Sequence, residues 1–340
     1  LTLKPTTFAG FAAFAALLAL AVIMVGAYVR LSDAGLGCPD WPGCYGGLAA
    51  PTSAQAIAAA NAAYPARPVE PAKAWKEMAH RYLAGILGLA ILLLGLMAWR
   101  SGGQIPARLP LLLIVLVVFQ GLLGMWTVTL LVKPAVVTAH LAGGLATLCL
   151  LWWLVLRHGN LIGRGPSRGL ARMRPWAILG LLLVSVQIVL GGWTSSNYAA
   201  VACTEFPTCY GGMWWPPADF GEAFVVWRGL GVDYEFGVLD SAARTAIHLS
   251  HRVGALVVVV YLVSLGIGMS WAGREAADRR LGLALLAVLA LQVGLGIANV
   301  VTHLPLPVAV AHNGGAALLL VVMVTLLYRL GRPPMPPAPT

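Results

Sequence analysis

Four histidines could do chemistry together in this sequence: His80, His140, His251 and His312. Each lies in a long apolar run, within one or two helical turns of the same end, which puts all four roughly 5–10 Å deep. Ionisable groups inside a membrane carry function by default. Zinc would need four ligands within about 2 Å of one point. Two histidines in each half of the chain, on different helices and with no paired carboxylate, suit a flat ligand gripped from both faces. Bis-imidazole ligation of haem iron, built between facing helices, is that arrangement.

The neighbours of these histidines divide into pairs. Glu77 stands three residues before His80, on nearly the same helix face, and the matching place before His251 holds His248. A carboxylate in low-dielectric surroundings can handle protons; one near a helix start can also simply answer the helix dipole. Arg81 and Arg252 each follow a histidine, where a guanidinium suits a haem propionate or snorkels towards the interface. Glycines one turn past His140, His251 and His312 would leave room for a macrocycle edge, whereas Leu83 and Ala84 follow His80. His248 and His303 are extra; both read as interfacial, with His248 a weak candidate for gating or a propionate contact.

Five cysteines remain to be placed. Cys38 and Cys44 sit in "GLGCPDWPGCYGG", and Cys203 and Cys209 sit in "AVACTEFPTCYGG", with the same spacing and the same Tyr-Gly-Gly tail. Rings of this size close if their Cα atoms come within about 7 Å, so two intraloop disulfides, Cys38–Cys44 and Cys203–Cys209, are expected. Reduced thiols or metal ligands are the alternative, and this spacing matches no familiar zinc pattern. Cys149 reads as an inert core residue.

The elements that must position these residues follow from composition. The 340 residues are 59% hydrophobic and 10% charged, against about 25% charged in a soluble domain. Eight apolar runs, roughly 9–30, 79–99, 109–131, 135–157, 176–195, 244–270, 280–302 and 307–329, meet the length of about 20 residues that a span needs. Backbone groups in lipid must be satisfied within the segment, so these are helices, and no barrel-type alternation competes. The first run reads as a retained helix. Thirteen of the 22 basic residues share the side of the termini with only two acids, Glu275 and Asp278. By the positive-inside rule both termini are cytoplasmic, and the cysteine loops face an oxidising compartment. The net charge of +10 is thereby a topology signal, and nucleic acid is not expected as a partner.

The chain is also duplicated. "EMAHRYLAG" matches "HLSHRVGAL", "FQGLLGMWTV" matches "LQVGLGIANV", and "VVTAHLAGG" matches "VAVAHNGGA". A finer pattern, Gln-x3-Gly, recurs at Gln120–Gly124, Gln187–Gly191 and Gln292–Gly296. Its residues share one helix face, for close approach to a neighbouring helix or to a flat ligand. The expected fold is an all-α integral membrane protein, its eight spans forming two repeat-related four-helix bundles. Residues 1–160 make the first, 161–175 a cytoplasmic linker, 176–330 the second, and 331–340 a disordered tail. An Ala-rich insert, "LAAPTSAQAIAAANAAYPARPVEP", matches no motif.

Taken together, "RLSDAGLGCPDWPGC", "EMAHR", "TAHLAGG", "HLSHR", "AHNGG" and the duplication make the sequence resemble the haem A synthase family of bacterial and mitochondrial inner membranes, over nearly all of residues 9–329. The resemblance implies an oxidoreductase that converts the C8 methyl of haem O to the formyl group of haem A for haem-copper oxidases. It places substrate haem on His80 and His140, a haem b cofactor on His251 and His312, and the family glutamate at Glu77. The cysteine rings would then be lids over the two haem bundles. Haem O synthase, oxidase assembly factors, an electron donor, membrane lipid and further copies of the chain are the partners it implies. A quinol-linked dihaem b electron carrier is the alternative from another class, although four histidines at one end wire a membrane poorly. A transporter is a third, and inverted repeats would favour it; this repeat is parallel.

Overall fold

In the computed structural model, described over residues 5–161, 165–166, 168–273 and 275–333, the chain is helical, with no strand among the described residues. Lys4, Arg164, Arg274, part of the 161–175 linker and the tail from 334 lie outside those residues. The helices run α1 (Pro5–Leu31), α2 (Ala54–Ala63), α3 (Pro71–Arg100), α4 (Arg108–Thr129), α5 (Pro134–His158), α6 (Arg168–Ala171), α7 (Arg174–Ser196), α8 (Phe220–Ala223), α9 (Ser241–Ala272), α10 (Ala276–Val301) and α11 (Leu306–Leu330). Eight of them, all except α2, α6 and α8, are long and apolar enough to cross a membrane. The expected all-helical, eight-span membrane protein is what the chain forms.

Local chemistry explains where these helices start. Proline occupies the first turn of α3, α5, α7 and α11, where its missing N–H would have had no partner anyway. The largest departure from the apolar runs is α3, which begins eight residues before the expected residue 79. That stretch, "PAKAWKEM", is polar enough to hide from hydropathy, yet it is rich in good helix formers. It is held by burying Ala74, Glu77 and Met78.

The spans pack as two rings of four, α1–α3–α4–α5 and α7–α9–α10–α11, joined where α1 and α5 meet α11 and α5 meets α7. Their common core runs from Phe8 and Ala12 in α1 through Leu151 in α5 to Leu262 in α9 and Met323 in α11. Small side chains let the rings approach: Gly192 of α7 lies against Thr138 and Leu141 of α5, and Gly314 of α11 against Met24 of α1. At the end away from the histidines, Arg329 is buried with Asp278 and Glu275, 2.9 Å from each.

The loops at the histidine end lock the rings together. Arg30 donates to the Ser195 carbonyl at 2.7 Å and lies 4.1 Å from the centre of the Tyr198 ring. Lys133 donates to the Gly229 carbonyl and sits over the Trp227 ring. The Ala-rich insert, which no motif explained, contains α2. Ser53 caps it by accepting from Ala56 N, and Asn61 accepts from Val69 N. The insert delivers Arg67 to Asp233 and Glu235 in the long loop of the second half, at 2.6 and 2.5 Å.

Candidate functional site

Each of the four histidines has the same seat. His80 rests against Gly26 of α1, His140 against Gly124 of α4, His251 against Gly191 of α7 and His312 against Gly296 of α10. A Cβ at those glycines would lie 2.8, 3.6, 3.1 and 3.1 Å from the respective imidazole Cε1. All four seats fall five residues before the end of their helix, about 7 Å inside it. The expectation of one depth is met by the geometry.

The Gln-x3-Gly pattern therefore serves packing of a particular kind: the glycine admits an imidazole. Its glutamine has a seat too. Gln120 fills the space beside Gly143, Gln187 that beside Gly254, and Gln292 that beside Gly315. This corrects the reading of those three glycines as room for a macrocycle edge, because a neighbouring amide occupies the space. In the first seat, α1 carries Val22 where the others carry glutamine, and α3 carries Leu83 where the others carry glycine. An apolar pair has replaced the amide–glycine pair. That substitution hid the fourth copy, at Val22 and Gly26, from the sequence pattern.

Paired imidazoles fit an iron between them. An iron about 2 Å from one nitrogen of each ring, with each nitrogen about 1 Å from its ring centre, separates the centres by roughly 6 Å, as in bis-histidine haem. The His80 and His140 rings are 6.5 Å apart, at 85° to each other. Among the described residues their buried Nδ1 atoms have no hydrogen-bond partner, nor does that of His312. In the second ring His251 Nδ1 meets Gln187 Nε2 at 3.0 Å, and His312 Nε2 meets Gln292 Nε2 at 3.4 Å. Among the described residues no three His, Cys, Asp or Glu side chains converge as a metal cluster. The facing imidazoles of His80 and His140 are a donor set that fits a haem iron.

Glu77 is buried one turn from His80. Its Oε1 pairs with Arg81 Nη2 at 2.6 Å, and its Oε2 accepts from Cys38 N at 2.9 Å. His248, its counterpart, accepts from Cys203 N on Nδ1 at 3.2 Å. Both residues thus hold the first cysteine of a ring, but only one of them is an acid. Arg81 also donates to the carbonyls of Pro42 and Gly43, and Arg252 donates to those of Thr208, Cys203 and Glu205. The arginines, expected to pair with propionates or to snorkel, here take a role that spacing did not suggest: they hold the loops.

The two cysteine rings are closed, Cys38 to Cys44 and Cys203 to Cys209, with Cα atoms 4.9 and 4.3 Å apart. In each, a carboxylate ties the returning strand. Asp40 accepts from Tyr45 N and Gly46 N, and Glu205 from Gly211 N and Gly212 N. Hydrogen bonds from Gly212 N, Thr208 Oγ1 and Gly211 N hold the Glu205 carboxyl below its ordinary pKa. The expected lid needs correcting. The polar anchors of the first ring lie on α3, at Ala74, Glu77 and Arg81, and those of the second on α9, at His248 and Arg252. Each ring clasps the flank of one helix. The chain just before the first ring, at Gly35 and Leu36, packs on Val132 at the α4–α5 turn instead.

A family profile described as Cytochrome oxidase assembly protein (COX15-CtaA) matches residues 9–324. The chain belongs to this family. A heme A synthase of Shewanella oneidensis is 47% identical over 311 residues, 92% of this chain and 93% of that protein. Others are more distant: the heme A synthase of Caulobacter vibrioides is 29% identical over 94% of each chain, and that of Halalkalibacterium halodurans 26% over 90% of each.

Two candidates remain, His303 and Cys149. His303 is exposed in the α10–α11 turn. Cys149 is a free thiol, half-buried against the core. Sequence reasoning missed Gly26 and Val22, saw Leu83 only as the departure after His80, and gave Arg67 no role. For the first two, the offset shared by His80 and His251 would have pointed to α1.

Proposed function

We infer that the chain is a haem A synthase: a multi-pass membrane enzyme for which haem O is substrate and haem A product. We assign the substrate to His80 and His140 in residues 1–160, and a haem b cofactor to His251 and His312 in residues 176–330. In this reading it is an oxidoreductase of the bacterial inner membrane, with both termini cytoplasmic. The observation that carries the reading is the pair of histidine couples at one depth, the first with its ring centres 6.5 Å apart, in a chain whose relatives are heme A synthases.

Bound between these imidazoles, haem iron would supply the redox chemistry. The protein's part is positional. Gly26 and Gly124 let α1 and α4 press on the two rings and fix their facing. Glu77, held by Arg81 and Cys38 N, keeps a carboxylate one turn from His80, where it can take or return a proton as a methyl is oxidised to a formyl. The second couple has His248 in that place and no acid, which suits a haem that passes electrons and is not itself altered.

Pigment extracted from the purified protein tests this. Haem O or haem A beside haem b is expected. Two equivalents of haem b alone would instead favour the dihaem electron carrier.

A further inference from the structure

The two cysteine rings are level with the ends of the spans, not above them. Each runs down the flank of one helix. The first enters at Gly37, packed on the backbone of Lys73 and Ala74, and reaches Arg81 with its tip carbonyls, Pro42 and Gly43. The second enters at Cys203 beside His248 and reaches Arg252 with Thr208 and Glu205. Arg81 and Arg252 directly follow His80 and His251, whose seats at Gly26 and Gly191 lie five residues inside the ends of α1 and α7. At about 1.5 Å per residue, allowing for an arginine side chain reaching outward, the tips come to the level of those ends. Arg81 is ten residues into α3, so its Cα lies about 15 Å below that helix's start, and the tip, reached by the outward-pointing arginine side chain, lies between the two levels.

What the tips expose is apolar. Trp41 is 40% exposed and Phe206 48%, at matching places in the two rings. After each Tyr-Gly-Gly come Leu48, 87% exposed, and Met213 with Trp214, the latter 68% exposed. Tyr82, next to Arg81 and itself exposed, donates to the Leu48 carbonyl at 2.7 Å.

The polar groups of the rings are largely satisfied from within. Cys44 N donates to Gly47 O and Gly47 N to Cys44 O; Cys209 N donates to Met213 O and Met213 N to Tyr210 O. Asp40 and Glu205 take the next amides, and the two arginines take the tip carbonyls. Backbone that approaches lipid must meet this condition, and aromatic side chains concentrate at the membrane–water boundary.

We propose that the cysteine rings are membrane-surface anchors, seating Trp41 and Leu48 in one ring, and Phe206, Met213 and Trp214 in the other, at the headgroup–acyl boundary of the leaflet on that side. The occupant is phospholipid, because the exposed tips continue the lipid-facing side of α3 and α9 at their own depth. The rings would thereby couple the outer stretches of the two helices that carry Glu77, His80, His248 and His251 to the bilayer surface.

The test uses the full chain in nanodiscs of phosphatidylcholine and phosphatidylglycerol. Trp41 or Phe206 is replaced by the photoreactive p-benzoylphenylalanine, with Ala59 on α2 as the water-facing control. Irradiation is expected to give lipid adducts at 41 and 206 and none at 59, read by mass spectrometry. Adducts to a second copy of the chain, or no lipid adduct in protein that retains its haem, would overturn the proposal. Hydroxyl-radical footprinting of the unaltered protein in the same nanodiscs guards against misfolded variants. Trp41, Met213 and Trp214 should be protected relative to Trp227, and oxidation of all four at similar rates would also overturn it. Neither readout depends on haem A formation, so this proposal can fail while the assignment as a synthase stands.

Discussion

Glu77 and His248 occupy matching places in the two halves, each accepting a hydrogen bond from the first cysteine of a ring and each one turn before a seated histidine. Around them the halves share glycine seats, arginine clasps and closed rings. Two differences lie beside the histidines: the acid, and the Val22–Leu83 pair that stands where the other three seats have glutamine and glycine. In the proposed function the shared features would hold an iron, and the unshared ones would distinguish a haem that is altered from a haem that is kept. The comparison teaches that chemistry is to be sought where the duplication has broken.

The largest effect should come from Glu77. Glu77→Gln keeps an acceptor for Cys38 N but removes the proton-carrying group. Haem A formed per folded, haem b-loaded molecule is expected to fall about 10²-fold, the scale of a positioned acid–base group. His248→Gln should leave that ratio nearly unchanged. Near-normal turnover in Glu77→Gln, with only lower stability, would make Glu77 a loop anchor like His248 and erase the contrast.

Next in size are the seats. Gly26→Ala puts a methyl 2.8 Å from His80 Cε1, whereas Gly124→Ala puts one at an ordinary 3.6 Å from His140. The first should displace its imidazole, lower retention of haem O and cost about 1–3 kcal/mol by overpacking. The second should be tolerated, as thermal unfolding and extracted pigment would report. Equal effects would mean that the glycines do not set the rings.

The amide–glycine pairing predicts a coupling. Val22→Gln alone buries an amide against Leu83, while Val22→Gln with Leu83→Gly rebuilds the arrangement of the other seats. A double-mutant cycle is expected to give about 0.5–3 kcal/mol of favourable coupling, and strict additivity would break the idea of a fourth, altered copy. The smallest effect belongs to Arg67→Ala. Its ion pairs with Asp233 and Glu235 are partly exposed, so about 1 kcal/mol or less is expected, with no change in the haem ratio.

Much of this was legible in the residues. Apolar runs announce spans because lipid leaves the backbone no other option, and His80, His140, His251 and His312 stand out because imidazole is costly there. Ring closure at Cys38–Cys44 and Cys203–Cys209 followed from spacing and compartment. What stayed hidden depends on contacts between distant helices. Glycine at 143, 254 and 315 looks like open space until the glutamine from the neighbouring helix is seen filling it. The start of α3 was missed because the ring of Cys38, not lipid, covers its polar first turns. The Arg67 clamp joins residues too far apart in the chain for any spacing rule.

The claim that the halves hold different haems is tested most directly by haem b content after removing one ligand at a time. His251→Ala and His312→Ala should lose haem b from the purified protein. His80→Ala and His140→Ala should keep it while no longer converting haem O. Loss of haem b to the same extent from all four variants would contradict the account.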